Sequence, residues 1–397
     1  MTIETRKSHC RFSLMVAGAL LAATAVRAQP GMQPNYQPVV PGLDYAHIQT
    51  SNAGSGEPLS IHIARMDRTS KDLQVAEMLA FNRVFDTAPV SAIAKQFPKE
   101  RGEPLVAINA GFCIRHKDPY KGVPRGIKDE ESSMVIVDGQ MISSPSRYSF
   151  WVDEDGSMHF GRFESRLSAA LPDGTSIPIG LNHECKPESV ILFTHVLGES
   201  TRAKDCMEVI LEDAQQKPLS WRVGESYVLR VKAVNPSGDT VLSNQIAVLS
   251  FGGKMTPKTG FKPGDSIKIE LKTSPDLKNV VTACHAIFPL VENGKSLEKF
   301  DASGAILHKN PRTAIGFNDR YFYMVVVDGR QKTLSMGMKA GELAEFMLSL
   351  GCREAMNLDG GGSTTFWMQG KRRNSVPGGI ERERSDALLI VRKSSAK

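Results

Sequence analysis

The chain has 397 residues, of which 41% are hydrophobic and 23% are charged, and its formal net charge is +6. This composition is typical of a globular protein with a sizeable core and excludes a disordered or fibrous chain. The positive charge is modest and no run of five like charges occurs, so the sequence argues against a nucleic-acid partner.

The N-terminus has the three parts of an export signal. Basic residues are followed by an apolar stretch from Phe12 to Val26, and small residues end at Ala28. This pattern predicts cleavage after Ala28 and a secreted or periplasmic protein. The alternative is a short membrane anchor, but the apolar stretch is short for a span and Arg27 ends it.

After the predicted signal, residues 1–28, two further regions are expected. Residues 29–58 are rich in Pro, Gly, Gln, Asn and Ser, which predicts an extended arm or linker. Residues 59–397 are predicted to form one large catalytic domain. No other segment approaches 18 apolar residues, so no stable membrane span is expected after signal cleavage.

Strand patterns dominate the first two thirds of this domain. "LSIHIARMD" alternates like a half-buried strand, and "PLVAINAGFC" is a short apolar run that ends in a loop. Asp-Gly dipeptides in "SSMVIVDGQMI" and "SFWVDEDGSMHFGRF" predict two hairpins. Residues 168–300 contain further strand-like pieces without a fixed-period repeat.

A helix interrupts the strands in the last third. "YFYMVVVDG" predicts a buried strand, and "GELAEFMLSLG" places four apolar residues on one helical face before a glycine stop: Leu343, Phe346, Met347 and Leu350. "REAMNLD" and "SDALLIVRK" predict two more strands. The predicted fold is α+β, with a largely antiparallel or mixed β-sheet and a few packed helices.

The cysteines and histidines show no metal-binding spacing. Five cysteines remain after the predicted signal removes Cys10, and Cys185 and Cys206 could form a disulfide in an oxidising compartment. His62 and His285 lie in strand-like segments and are interpreted as strand residues rather than ligands. We predict no catalytic metal and no cofactor.

The most unusual segment is "NLDGGGSTTF", in which three glycines follow Asp359. Consecutive glycines allow main-chain N–H groups to converge on an anion, and hydroxyl groups add donors. The candidate anion-binding residues are Gly360, Gly361, Gly362, Ser363 and Thr364. The GxxxxGK[ST] spacing of a phosphate-binding P-loop is absent. The alternative is a tight strand connection with a capping serine.

Other candidate residues lie at predicted strand ends. Arg312 and Arg330 carry guanidinium groups suited to phosphate, with surface ion pairing as the alternative for Arg312. Asp328 is a candidate catalytic carboxylate, although "VDGR" is equally typical of a hairpin turn. Asn109 could bind a sugar hydroxyl or simply form a turn.

Several motifs together resemble one known family. "PRTAIG", "VVDGR", "SMG", "NLDGGGST" and "RERSDALLIV", in this order, are similar to the phosphodiester glycosidase family, as are the earlier "AINAGF" and "PIGLNHE". The resemblance covers roughly residues 59–393 and is most specific in the last third. Two departures are Ala110, where a second glycine is common, and "LNHE", which lacks the expected arginine.

The resemblance implies hydrolysis of a sugar-1-phosphodiester, with a sugar phosphate or glycan as substrate. It implies catalytic roles for Asp328 and Asp359, and an anion site made by the arginines and the glycine segment. Arg384 is a further candidate, and Asp386 is expected either to orient it or to form a structural ion pair. Two alternatives stay open: a phosphodiesterase that cleaves P–O bonds, and a non-catalytic glycan-binding protein.

Overall fold

The computed structural model describes residues 32–394, apart from 53–54, 114–122, 124–133, 145–147, 258–259 and 298–306. The predicted export signal lies outside these residues. The described part is mainly β, and its α-helices are Val90–Lys95 and Ala340–Ser349. The α+β prediction therefore holds only in a coarse sense. Short 3₁₀ turns span Ala80–Asn82, Lys99–Arg101, His195–Leu197 and Gly361–Ser363.

The first sheet has eight strands, and every neighbouring pair is antiparallel. In spatial order its strands are Gln37–Val40, Leu43–Ser51, Pro58–Asp67, Tyr321–Val327, Arg312–Phe317, Glu354–Asn357, Phe288–Glu292 and Lys295–Ser296.

The second sheet lies against one face of the first and is also antiparallel. Its strands, in spatial order, are Lys371–Arg372, Phe366–Met368, Glu103–Asn109, Asp386–Arg392 and Leu73–Leu79. A separate pair joins Ala88–Pro89 to Glu383–Arg384.

Two more sheets complete the described part. The third contains Met158–Arg162, Tyr148–Asp153, Val280–His285, Val135–Val137 and Gln140–Ser143. The fourth contains Ser176–Pro178, Glu164–Ala170, Ser266–Ser274, Ser226–Asn235, Met207–Glu212, Ile246–Phe251, Val190–Phe193 and Gly180–Leu181. Both hairpins predicted from Asp-Gly dipeptides are present in the third sheet.

Part of the predicted arm is folded. Residues 37–51 form the two outer strands of the first sheet, so the prediction of a linker is wrong for this stretch. Leu43, Ala46 and Ile48 are buried there, whereas neighbouring polar residues face outward.

The first sheet is covered on both faces, which explains why its strands are so apolar. On one face Ile61, Ile63 and Val325 pack against the helix Ala340–Ser349. On the other face, Met324 and Val326 pack against the second and third sheets. Successive strand residues alternate between the two faces, so Ser60 and His62 point toward the second sheet.

The strand ends converge at one edge between the first and second sheets. Arg312, the first residue of its strand, pairs with Val327, the last residue of the neighbouring strand. Asp328 therefore begins a loop next to Arg312. Ala314 pairs with Asn357, and Leu358 N donates to Thr313 O at 2.8 Å, which brings the glycine segment to the same edge.

Candidate functional site

The glycine segment forms a short turn immediately after its strand. Asp359 N donates to Ala110 O at 3.1 Å, which ties the turn to the second sheet. Gly361 N donates to Pro311 O at 2.9 Å and Ser363 N donates to Gly360 O at 3.2 Å. Within the described residues, the amides of Gly360 and Gly362 donate no hydrogen bond. Of the five candidate residues, three therefore have amides that are already bonded within the protein: Gly361, Ser363 and Thr364.

Asp359 and Arg384 form a buried ion pair. Arg384 Nη2 lies 3.0 Å from Asp359 Oδ2, and the two side chains are 0% and 6% exposed. The angles of this contact are not those of a hydrogen bond. Arg384 also donates to Ser363 Oγ at 3.1 Å and to Gly111 O at 2.6 Å. Burial lowers the pKa of Arg384, but the charges of Asp359, Cys113 and Asp386 together outweigh this effect and the pKa is raised overall.

Asn109 holds the turn instead of facing an open site. Its Nδ2 donates to Asp359 O at 2.6 Å, and its Oδ1 accepts from Thr313 Oγ1 at 2.8 Å and from Thr365 N at 3.1 Å. The side chain is fully buried. The structure therefore corrects the expectation that Asn109 binds a sugar hydroxyl: its amide is spent on connecting three segments.

Arg312 also points inward. Its Nε donates to Met338 O at 2.8 Å and its Nη2 donates to His308 O at 2.9 Å. Burial, and then the charge of Arg330, lower the pKa of Arg312 to about 10. These carbonyl contacts replace the open phosphate contact expected from the sequence and join two loops beside the turn.

Two exposed arginines lie against the glycine turn. A methyl group on Gly361 would come within 3.1 Å of the Arg330 guanidinium, and one on Gly362 within 2.4 Å of the Arg382 guanidinium. Arg330 donates from Nε and Nη2 to Asn310 Oδ1 at 3.0 and 2.9 Å. Arg382 was not among the predicted site residues, although it lies in the quoted "RERSD" motif. The missing side chains make room for guanidinium groups.

Thr364, the last candidate of this segment, is buried. Its carbonyl accepts from Asn374 Nδ2 at 3.1 Å, and its amide donates to Gly361 O at 3.4 Å. Its hydroxyl has no hydrogen-bond partner within the described residues. Thr364 therefore shapes the exit of the turn rather than its open face.

Asp328 lies in a separate polar network. Its Oδ2 accepts from Ser60 Oγ at 2.7 Å and lies 3.3 Å from His62 Nε2, and its Oδ1 accepts from Ser375 N at 2.9 Å. Asp328, Ser60 and His62 are all buried. Two residues extend the network: Tyr45 OH lies 2.8 Å from His62 Nδ1, and His47 Nε2 lies 3.0 Å from Ser60 Oγ.

This network was not predicted from the sequence, because its members come from segments that are far apart along the chain. His62 does lie in a strand, as predicted, but its side chain faces Asp328. The available signal was two polar residues at i and i+2, Ser60 and His62, in an otherwise buried strand. Period-two polar residues on a buried face indicate a satisfied polar network.

Two further acidic residues, Glu77 and Asp386, are buried near the ion pair of Asp359 and Arg384. Burial raises the pKa of Asp386 to about 7, and burial together with the charge of Asp386 raises the pKa of Glu77 well above its usual value. Their carboxylate oxygens have no hydrogen-bond partner within the described residues. Asp386 therefore does not hold Arg384 by a hydrogen bond, and Asp359 is the acid that contacts it.

The described residues contain neither a metal-binding cluster nor a membrane-spanning helix. In the part of the chain that the structure covers, no group of three or more His, Cys, Asp and Glu side chains is arranged to hold a metal ion. None of the helices described above is long and apolar enough to cross a membrane.

Comparison with known families supports the resemblance seen in the motifs. Residues 222–391 match the family model described as phosphodiester glycosidase. This stretch includes Asp328, Asp359 and Arg384 but begins after Ser60 and His62. The resemblance to this family is thereby confirmed over the C-terminal part of the chain.

Individual relatives are distant or short. An SPbeta prophage-derived uncharacterized protein, YomE, of Bacillus subtilis (strain 168) is 42% identical over 83 residues, which is 21% of this chain and 13% of that protein. The match thus spans about an eighth of that curated relative.

Two solved structures share the fold, and a third aligns less well. A hypothetical protein from Synechocystis aligns with a TM-score of 0.71 at 18% identity, over 91% of this chain and 64% of that chain. A putative exported protein from Burkholderia pseudomallei K96243 aligns with a TM-score of 0.65 at 18% identity, over 85% and 74%. The zebrafish N-acetylglucosamine-1-phosphodiester alpha-N-acetylglucosaminidase catalytic domain, described as auto-inhibited by its pro-peptide, aligns with a TM-score of 0.48 at 15% identity, over 90% and 87%.

Proposed function

We propose that this protein hydrolyses the glycosidic bond of a sugar-1-phosphodiester and leaves the phosphate on its other alcohol. One observation carries the proposal. A buried carboxylate–arginine pair, Asp359 and Arg384, lies directly beside a glycine turn that is flanked by the exposed guanidinium groups of Arg330 and Arg382. A phosphodiester of a sugar needs both an anion site and a carboxylate at the adjacent carbon.

The anion site would consist of the glycine turn and its flanking cations. A phosphodiester carries one negative charge, and the unbonded amides of Gly360 and Gly362 are suitable donors for its oxygens. Arg330 and Arg382 would add charge-assisted hydrogen bonds. Arg330 donates to the neutral amide oxygen of Asn310. A phosphate oxygen can replace this acceptor, and the hydrogen bond to the charged oxygen would be stronger.

The chemical step needs stabilisation of charge more than a strong acid. As the bond from the anomeric carbon to oxygen breaks, positive charge develops on the sugar and negative charge on the departing phosphate. Asp359 is suited to the first and the guanidinium groups to the second. Removing one such preorganised group typically lowers the rate about 10²–10³-fold.

The proposed substrate class is an N-acetylglucosamine-type sugar linked through phosphate to a glycan or envelope polymer. The motifs of the phosphodiester glycosidase family and the match over residues 222–391 support it. The N-terminal pattern supports a secreted or periplasmic site of action.

The test is hydrolysis of the methyl phosphodiester of N-acetylglucosamine 1-phosphate in H₂¹⁸O. We expect free sugar that carries ¹⁸O together with unlabelled methyl phosphate, and at least about a 100-fold loss with Asp359→Asn. Label in the phosphate would instead identify a P–O-cleaving phosphodiesterase. Binding without turnover would identify a glycan-binding protein.

A matched pair of arginine variants tests the anion site. Arg330→Gln is expected to raise KM for the diester, while Arg320→Gln serves as the control. Arg320 is also exposed, but it belongs to a turn at the other end of the first sheet and contacts Asp67 at 3.4 Å. Equal kinetic effects of the two substitutions would exclude a specific role for Arg330.

A further inference from the structure

The two candidate catalytic aspartates have different partners. Asp359 contacts a permanent cation, Arg384, at 3.0 Å. Among the residues that the structure describes, Asp328 contacts neutral donors and a histidine: Ser60, Ser375 and His62. An arginine beside a carboxylate favours its charged form, whereas a hydrogen-bonded histidine can take or give a proton. The surroundings therefore suit the two acids to different tasks.

The hydrogen bonds around His62 are directed toward Asp328. A carboxylate only accepts hydrogen bonds, so the proton of the neutral ring must be on Nε2, which faces Asp328 Oδ2 at 3.3 Å. Nδ1 is then free to accept from Tyr45 OH at 2.8 Å. Burial raises the pKa of Tyr45 to about 12, which keeps this hydroxyl protonated and able to donate.

A second branch leads from Asp328 toward solvent. Ser60 Oγ donates to Asp328 Oδ2, and His47 Nε2 lies 3.0 Å from Ser60 Oγ. The His47 and His62 rings stack with centroids 4.2 Å apart, and His47 is exposed. Burial and the neighbouring His62 ring lower the pKa of His47, and Asp328 offsets part of this effect. Arg373 is a further charged neighbour of this network, and it offsets part of the rise that burial causes in the pKa of Tyr45.

We propose that Asp328 is the proton-exchanging carboxylate of the site, that His62 is its positioning residue, and that Asp359 is the fixed anion that stabilises the sugar. This rests on the function proposed above. Asp328 Oδ1 accepts one hydrogen bond, from Ser375 N, which leaves an acceptor position on that oxygen.

The proposed step is balanced. A water molecule gives one proton to Asp328, and its oxygen forms a bond to the anomeric carbon. The bond from that carbon to the phosphate oxygen breaks, and its electron pair leaves with the phosphate monoester. The proton on Asp328 then passes to solvent by way of Ser60 and His47. General-base removal of a proton contributes typically about 10²–10⁴-fold to the rate, which is the loss expected for Asp328→Asn.

The test compares two substitutions of His62 on the methyl phosphodiester of N-acetylglucosamine 1-phosphate. His62→Leu removes the donor to Asp328, whereas His62→Gln keeps an N–H group. Losing a donor to a carboxylate disfavours its charged form, so the acidic limb of the kcat/KM profile is expected to move to higher pH in His62→Leu. We expect His62→Gln to stay near the wild-type profile. Asp359→Asn should lower the plateau without moving the limb.

The outcomes separate the inference from the proposed function. No turnover by the wild-type protein would overturn both. Turnover with the same acidic limb in His62→Leu and wild type would overturn only the assignment of roles, as would a limb that moves with Asp359→Asn. Nitrogen-15 NMR of the histidine rings gives a readout without substrate: Asp328→Asn should change the His62 tautomer signals and Asp359→Asn should not. The reverse pattern would also overturn the assignment.

Discussion

Replacing Arg384 with methionine should expose how strongly the buried ion pair holds the site together. Methionine is of similar length and apolar, so it fills the space without charge. The substitution removes the 3.0 Å contact with Asp359 and the donations to Ser363 at 3.1 Å and Gly111 at 2.6 Å. The Asp359 side chain, only 6% exposed, is left without a cation. Breaking a buried pair in this way costs about 3–5 kcal/mol of unfolding free energy.

A double-mutant cycle isolates the pair from these other losses. Asp359→Asn removes the negative charge and leaves Arg384 buried and uncompensated, which should also cost several kcal/mol, on the order of 3. The double variant contains no uncompensated charge, so it should lose much less than the sum. We expect a coupling energy of at least about 2 kcal/mol between the two positions.

The assay is urea denaturation of the four proteins at pH 7, with Arg166→Met as a control. Arg166 contacts Glu164 at 3.3 Å, but these side chains are 64% and 71% exposed. Exposed pairs contribute about 0–1 kcal/mol, so the control should change the unfolding free energy little. If the losses at Arg384 and Asp359 add to within about 0.5 kcal/mol, the two residues are not coupled and the argument fails.

Three further predictions concern other parts of the molecule. Burial raises the pKa of Asp386 from 3.8 to about 7, so this acid stays protonated in the folded chain over a range in which the unfolded chain loses the proton. As the pH rises from about 4 to 7, the unfolding free energy of the wild type should therefore fall relative to that of Asp386→Asn by at most about 4 kcal/mol. Urea denaturation of both proteins across this range measures the difference, and unfolding free energies that change with pH in parallel would contradict the prediction. Gly362→Ala should displace the exposed guanidinium group that a new methyl would approach to 2.4 Å, and should lower kcat/KM about tenfold with little change in stability. Gly253→Ala, where nothing lies within 4 Å, is its control, and equal activities would exclude a role for that opening. Glutathione disulfide should join Cys185 to the neighbouring Cys206. The reaction should be slow, because burial and the Cys206 thiol raise the pKa of Cys185 to about 12 and so keep this thiol protonated and unreactive. Peptide mass spectrometry that finds another pairing would refute this.

The C-terminal elements were predictable because their signals are local. The helix Ala340–Ser349 buries Leu343, Phe346 and Met347, which the 3.6-residue period had placed on one face. Gly351, with φ of +84°, ends it where a glycine stop was expected. The strands at residues 37–51 were not predictable in this way, because their polar composition conceals three buried side chains among exposed ones.

The candidate site depended on contacts that no local pattern encodes. Ser60 and His62 lie 268 and 266 positions before Asp328, and only the pairing of their strand with Tyr321–Val327 brings them together. Motif reading identified Asp359 and Arg384 separately but not as partners. Asn109 and Arg312 were candidates for ligand binding because the sequence does not show whether a side chain at a strand end faces a ligand or the protein interior.

The three glycines show why composition alone overestimates an anion site. At Gly360 a Cβ atom would lie 2.8 Å from Pro311 O, so this residue allows close packing between two loops. At Gly361 φ is +62° and the amide is already bonded, so the residue serves the turn itself. Gly362 alone combines an unbonded amide with a guanidinium group lying where its side chain would be. An anion at this turn would thus depend more on the flanking arginines than on the main chain, and its affinity should fall steeply with salt, as expected for exposed charges.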